Sequence, residues 1–516
     1  MLLRRILLRA VLFVGFWSAP AALQAQIPPV KAPPFSNQLP SSSTACSIEK
    51  SCAEVAPTMI RSAMGVSPLE ENLRYLTDSI GGRITGTPDA DRAVGWSVEA
   101  FRHAGVDEVH TEKFTVPVGW SEGQTRVAVT SPNPFPIRLV STGWSPPTPT
   151  GGITADVLDA GSGDDSAFAK IGASAEGAII LVHTAPLLTA ENLSNGRLSE
   201  PTIVARAVAS GAAAIFWMST RPNLLLYRQT LTRTGELEPL PQAVVARENA
   251  LRIARILASG QKVRVQFDMP NHSSGPVESE NVIAEIRGRE KPDEFVVLSA
   301  ALDSWDLGTG ALDDGCHAAM VIDAARVIRA SGTIPRRSIR FVLFTGNEQG
   351  MLGSRAYMQT HREELDNMVA AVEFHEGTGR ATGFSLAGRK DLLAPVREIL
   401  EPIQSLDVKN FTIDAKLSTG DLDFLLEGIP TLEANQEPSN YIPDYHAASD
   451  TFEKVDISEL KREVAISAVT AYALADSGER IGARQSHSEI ETDLGREMKE
   501  AGLWPAWEKG ERGRQP

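Results

Sequence analysis

From Asn281 onward the chain alternates between short apolar runs rich in β-branched residues and longer helical repeats. NVIAEIRG, EFVVLSAA, RRSIRFVLFTG and NMVAAVEFHEG read as strands. GCHAAMVIDAARVIRASG, DLLAPVREILEPI and ISELKREVAISAVTAYALAD read as helices. Alternation of this kind constrains the chain strongly, because strands apolar on both sides must be covered on both faces by the intervening helices. The expected fold is α/β, a mixed, mostly parallel sheet covered by helices on both faces.

Such a sheet gathers ligands at the carboxyl ends of its strands. EFVVLSAA runs into Leu302, Asp303, Ser304, Trp305 and Asp306, and LGTGALDDG then brings Asp313 and Asp314 to the start of a helix. FVLFTG stops at Asn347 and Glu348, AAVEF stops at His375 and Glu376, and His446 precedes the final helix. Carboxylates with imidazoles and no cysteine pair form a zinc-type ligand set. Taken singly, each acid reads equally well as a loop charge, and Asp313 and Asp314 as caps for the helix at Gly315. Their coincidence at four strand ends marks a site.

The 516 residues exceed one ordinary core. Residues 119–279 change texture, with Pro and Gly clusters and short β-like runs, and read as a β-rich unit inserted into a domain formed by 67–118 and 280–476. The insert's one histidine in a strand-like run, His183, reads as core. At the N-terminus, Arg4, Arg5 and Arg9 precede an apolar run over Ala10–Trp17 and small residues, so 1–25 reads as a signal peptide cut after Ala25. The mature chain is then exported, to the periplasm or the exterior, and holds no transmembrane span. Residues 26–66, rich in Pro and Ser, read as a flexible leader and 477–516 as a charged peripheral tail. Cys46 and Cys52 can bridge in an oxidising compartment or remain two thiols, and both options stay open. A formal net charge of −15 argues against nucleic-acid binding.

The segments LDSWDLGTGALDDG, FTGNEQGMLGSRAY and DYHAASDTFEKVD resemble the co-catalytic dizinc exopeptidases of the aminopeptidase Y and carboxypeptidase Q type. The resemblance covers roughly Ser67 to Ala475, and the insert looks like the protease-associated domain found in that family. It implies peptides or dipeptides as partners and zinc as cofactor. Asp313 would bridge two ions, Glu348 and His446 would complete the shell of one, and Asp303 would orient a ligand from behind. It also implies a cis peptide between Asp313 and Asp314.

Three positions depart from the family pattern. Ala301 stands where the family has a ligand histidine, Asn347 where it has the general-base glutamate, and His375 where it has a ligand aspartate. One zinc position keeps three ligands and an open place. The other keeps at best Asp313 and His375, with Cys316 and His317 as conceivable substitutes that read more simply as a buried thiol and a helix-surface imidazole. Two readings follow. One is a peptide-binding or regulatory pseudopeptidase with at most one zinc. The other is an active single-zinc exopeptidase, an aminopeptidase or a carboxypeptidase.

Overall fold

The computed structural model describes residues 51–510, apart from 416, 418, 419 and 440. The segment read as a signal peptide, most of the leader, Cys46 and the last six residues lie outside the described residues. Among the described residues no helix is long and apolar enough to cross a membrane.

The principal sheet has seven strands, in the order Glu108–Val116, Val277–Ile286, Arg337–Phe344, Lys291–Ala301, Met368–Glu373, Thr431–Gln436 and Ala381–Ser385. The four strands 337–344, 291–301, 368–373 and 431–436 run parallel. Parallelism stops there, because both edges are closed by antiparallel pairs. Fully buried Val, Leu, Ile and Phe residues fill the central strands, as a sheet covered on both faces requires. Helices Pro88–Ala104, Cys316–Ala330 and Ile457–Asp476 pack together with this sheet. Tyr357, Met358, Leu365 and Phe424 form a cluster with Phe295, Val297, Val342 and Phe344 of its central strands.

The Pro- and Ser-rich composition suggests a flexible leader up to residue 66, and the structure corrects this. Cys52–Met64 forms a helix against the 316–330 and 457–476 helices, burying Val55, Ala56, Met59 and Ala63. Its start carries a readable signal: in the run Ser51 to Glu54 the Glu54 carboxylate accepts the Ser51 N–H at 2.8 Å, the capping-box pattern.

The chain leaves the principal sheet after Val116 and re-enters at Val277, and those two residues are paired. Between them lies an eight-stranded sheet drawn from residues 126–268. Its centre, strands 153–159, 179–182, 214–218 and 242–245, is parallel. Helices Ala190–Ala209 and Arg247–Ala258 accompany it, so the region is α/β and not merely β-rich. His183, read as core, sits at a strand end with its side chain about a third exposed and paired with Asp159 at 2.9 Å.

The expected peripheral tail is also ordered as far as residue 510. Helices His487–Glu500 and Trp504–Glu508 bury Ile490, Leu494, Met498, Leu503 and Trp507 against Leu422, Leu425 and Leu426. The charges that suggest a peripheral tail occupy the outer face of an amphipathic helix.

Candidate metal centre

The loop from Leu302 to Asp314 is shaped by Arg83, a fully buried guanidinium. Its Nε donates to Leu302 O at 2.7 Å, Nη1 to Gly81 O and Thr309 O at 2.8 and 2.9 Å, and Nη2 to Gly310 O at 2.9 Å. Asp450 then receives the N–H groups of Ala311, Leu312 and Asp313 at 3.0, 2.7 and 3.2 Å. Burial pushes the Asp450 carboxyl up to about 7 even though these bonds favour its charged form. The Asp313–Asp314 peptide is cis.

Asp313, Glu348 and His446 converge, with one ligand atom from each within 4.8 Å of the others. His446 Nε2 lies 2.9 Å from Glu348 Oε2 and 3.2 Å from Asp313 Oδ2. Tyr441, which the sequence reading did not single out, donates its hydroxyl to Asp313 Oδ1 at 2.9 Å. Asp313 Oδ2 is buried and accepts no hydrogen bond. Burial, then the Glu348 and Asp314 charges, hold the Asp313 carboxyl well above the usual carboxylate range. Two buried carboxylates share a single imidazole here, so the donor set lacks positive charge. That deficit and the buried oxygen of Asp313 fit a divalent cation with nitrogen and oxygen ligands.

A second group joins Asp313, Asp314 and His375, also within 4.8 Å. The sequence reading offered His375 for this position and named Asp314 with Asp313 at the strand end, with a helix cap as the alternative for both. His375 Nδ1 lies 3.4 Å from Asp314 Oδ2. His317 Nδ1 lies 3.2 Å from Asp314 Oδ1, and its Nε2 faces Gly377 O at 2.9 Å. His317 is thus fully buried and bonded through both nitrogens, and it is neither a helix-surface residue nor a member of either ligand group. The reason is its place on the 316–330 helix, which is buried almost all round. Cys316 is buried with Sγ directed to Leu312 O at 3.4 Å. Burial opposes the charge on Asp314, but His375 and His317 more than offset this and hold it down at about 2. Like the first group, this one sets two carboxylates against one imidazole, with His317 added beside Asp314.

Ala301 is buried at the end of its strand and offers no ligand atom. Asp303, expected to orient a ligand, accepts the N–H of Asn347 at 3.1 Å and of Glu348 at 3.2 Å. Thr85 donates to it at 3.0 Å and in turn accepts the N–H of Gly346 at 2.7 Å. Asp303 therefore positions Glu348 through the backbone. Burial, then the Glu348 charge, pushes its carboxyl up to about 7.

The insert supports the His446 loop. Arg221 Nε donates to Pro443 O at 3.0 Å and Nη2 to Tyr445 O at 2.9 Å. The Arg228 N–H donates to His446 O at 3.0 Å. Trp305 meets the His446 ring edge-on, with centroids 5.9 Å apart. Side-chain bonds to backbone carbonyls leave no pattern in a sequence, which is why these residues were missed.

Both groups open on a cleft of about 400 Å³ whose lining includes Asn347, Gln229–Thr234 of the insert and Leu503. Glu376 lies outside it, with its N–H bonded to Gln436 Oε1 at 3.0 Å.

The profile of Peptidase family M28 matches residues 281–471. Human carboxypeptidase Q is 28% identical over 443 residues, covering 84% of this chain and 91% of that protein. The mouse enzyme is 28% identical over 417 residues, covering 80% and 86%. A solved peptidase M28 precursor from Shewanella amazonensis superposes with a TM-score of 0.76 at 26% identity, over 84% of this chain and 99% of that one. A zinc aminopeptidase from Bacillus subtilis shares the fold, with a TM-score of 0.62 at 19% identity over 81% and 97% of the two chains. The matched motifs, the shared fold and the convergent Asp313, Glu348 and His446 make this chain similar to the dizinc exopeptidases of peptidase family M28 and support its kinship with them.

Proposed function

We propose that this protein is an exported, carboxypeptidase Q-like family member that binds short peptides at one zinc held by Asp313, Glu348 and His446, with hydrolysis lost or strongly reduced. The observation that carries this reading is Asn347. It lines the cleft beside Glu348, at the position where the family pattern has its proton-accepting glutamate. An amide does not take a proton at working pH, and loss of a positioned general base costs about 10²–10⁴-fold in rate. The carboxylates on the described cleft wall are Glu200, Asp313 and Glu348. Two of these belong to the ligand group, and Glu200 accepts a hydrogen bond from Gln229 Nε2 at 2.8 Å.

A zinc ion at the first group would supply Lewis-acid polarisation of a peptide carbonyl. In the second group Asp314 is already faced by His375 at 3.4 Å and by His317 at 3.2 Å, which supports one ion, at the first group. Export rests on the basic and apolar N-terminal segment. The division into an exopeptidase-like domain (67–118 and 280–476) and a protease-associated insert (119–279) rests on the texture of the sequence and on the excursion between Val116 and Val277.

A second reading, an active single-zinc exopeptidase, is favoured by one observation. His375 lines the same cleft with Asp314 beside it at 3.4 Å, an arrangement suited to carrying a proton. Elemental analysis, peptide binding and turnover of a dipeptide library separate the two. The pseudopeptidase reading expects about one zinc per chain, saturable peptide binding and no chelator-sensitive turnover. Robust turnover that Glu348→Ala abolishes would establish the active enzyme instead.

A further inference from the structure

We infer that residues 486–508 are a specificity element that closes the outer side of the cleft and limits it to short peptides. This rests on the peptide-binding reading above. Ala501, Gly502, Leu503 and Ala506 line the same cleft as Asp313, Glu348 and His446.

The placement of this wall follows from local physics. The helix His487–Glu500 starts at Ser486, whose hydroxyl and N–H both donate to Glu489 Oε2, at 2.6 and 2.7 Å. It ends abruptly. The Leu503 N–H returns to Met498 O at 2.9 Å and the Gly502 N–H to Lys499 O at 3.1 Å. Gly502 adopts φ +66°. These are the two bonds of a Schellman stop, and the left-handed residue in it favours glycine. The stop turns Leu503 inward, where it joins Met498 in the cluster formed with Leu425, Leu426 and Trp507. Trp507 is buried and stacks on His487, with ring centroids 3.7 Å apart. The anchored Trp507 leaves its neighbour Ala506 on the cleft. Met351, three residues beyond Glu348, packs against the same cluster and ties the wall to the ligand loop.

The chemistry of the wall indicates exclusion. The Leu503 and Ala506 side chains carry no polar group to pair with a peptide backbone. A chain longer than the cleft must displace the wall or bury an amide against it unpaired, and an unpaired amide is worth about tenfold or more in affinity. The volume of about 400 Å³ is at the low end of small-ligand sites.

The test titrates dialanine and pentaalanine into the zinc-loaded full-length protein and into two variants, Gly502→Val and Leu503→Ser. Zinc content and thermal unfolding report whether each variant is folded. The natural protein is expected to favour dialanine by at least about tenfold. In either folded variant the preference should shrink to within about twofold, with zinc content unchanged. Equal affinity of the natural protein for both peptides, or an unchanged preference in both folded variants, would overturn the inference and leave the peptide-binding reading standing. Failure of the natural protein to bind either peptide would overturn both.

Discussion

Replacing Asn347 by glutamate tests the proposed loss of a proton acceptor directly. The backbone at 347 is held on both sides, so the new side chain inherits a fixed origin. The Asn347 N–H donates to Asp303 at 3.1 Å, and its carbonyl accepts the N–H groups of Gly350 and Met351 at 3.0 Å each. A positioned base contributes about 10²–10⁴-fold, equivalent to about 2.7–5.4 kcal/mol off the barrier. The expected gain is the lower end, about 10²-fold. The introduced carboxylate would stand near Glu348 and Asp313, and repulsion among three carboxylates raises its proton affinity and misplaces part of the population. The assay is amine release from a dipeptide panel by zinc-saturated protein, with zinc per chain measured on the same samples and a chelator control. A further gain is expected when Ala301→His and His375→Asp are added. Ala301 is only 5% exposed, and inserting an imidazole there costs about 1–3 kcal/mol of stability, so thermal unfolding must accompany the rates. A zinc-saturated, folded Asn347→Glu variant with less than about threefold gain would refute the argument that position 347 limits the chemistry.

Glu348→Ala removes one of the three proposed ligand side chains, and equilibrium dialysis should show zinc affinity falling by more than the roughly 10–100-fold typical of losing a supporting hydrogen bond. Gly350→Ala should destabilise the fold by about 1–3 kcal/mol in urea denaturation. Gly350 has φ +105°, and an added Cβ would lie 2.5 Å from the Arg233 backbone. Burial opposes the Glu112 charge, but hydrogen bonds from His110 and His361 more than offset it and hold the carboxyl at about 2. This contribution is fully present above the unfolded carboxyl range near 4.3 and is lost as pH falls through about 2. Glu112→Gln should therefore cost about 1–2 kcal/mol at pH 6, allowing for partial exposure, with the difference fading between pH 4 and 2. A difference that does not vary with pH would count against that assignment.

The α/β unit was legible because its strands and helices carry opposite periodicities. Asp313, Glu348 and His446 were named as candidate ligands from the family resemblance of their motifs, and their side chains converge. Asp314 was named beside Asp313 with a helix cap as the alternative, and it lies 3.4 Å from His375. A sequence cannot say which of two adjacent acids turns towards His375, since that depends on backbone geometry at one peptide. Tyr441, Arg83 and Arg221 were missed because each acts on a carboxylate or carbonyl distant in sequence. The C-terminal helices were missed for another reason. Their charge density masked apolar positions at Ile490, Leu494 and Met498 that recur at helical spacing.

The state of Asp303 bears on how the site should be understood. The family resemblance implies that Asp303 orients a metal ligand, and the nearby position 301 is Ala301, which offers no ligand atom. Asp303 is nevertheless buried, charged only at the cost of its surroundings, and fully engaged by Thr85, Asn347 and Glu348. Its two backbone contacts hold the residue that would accept the proton and the residue that would hold the ion in one fixed relation. On the proposed reading the support for both roles is present, while Asn347 carries no group that accepts a proton. None of the partners of Asp303 is the side chain at 301, so Asp303 stays fully bonded with Ala301 in place. Here the scaffold continues to place Glu348, Asp313 and His446 together. That convergence is what the proposed binding of peptides at a metal requires.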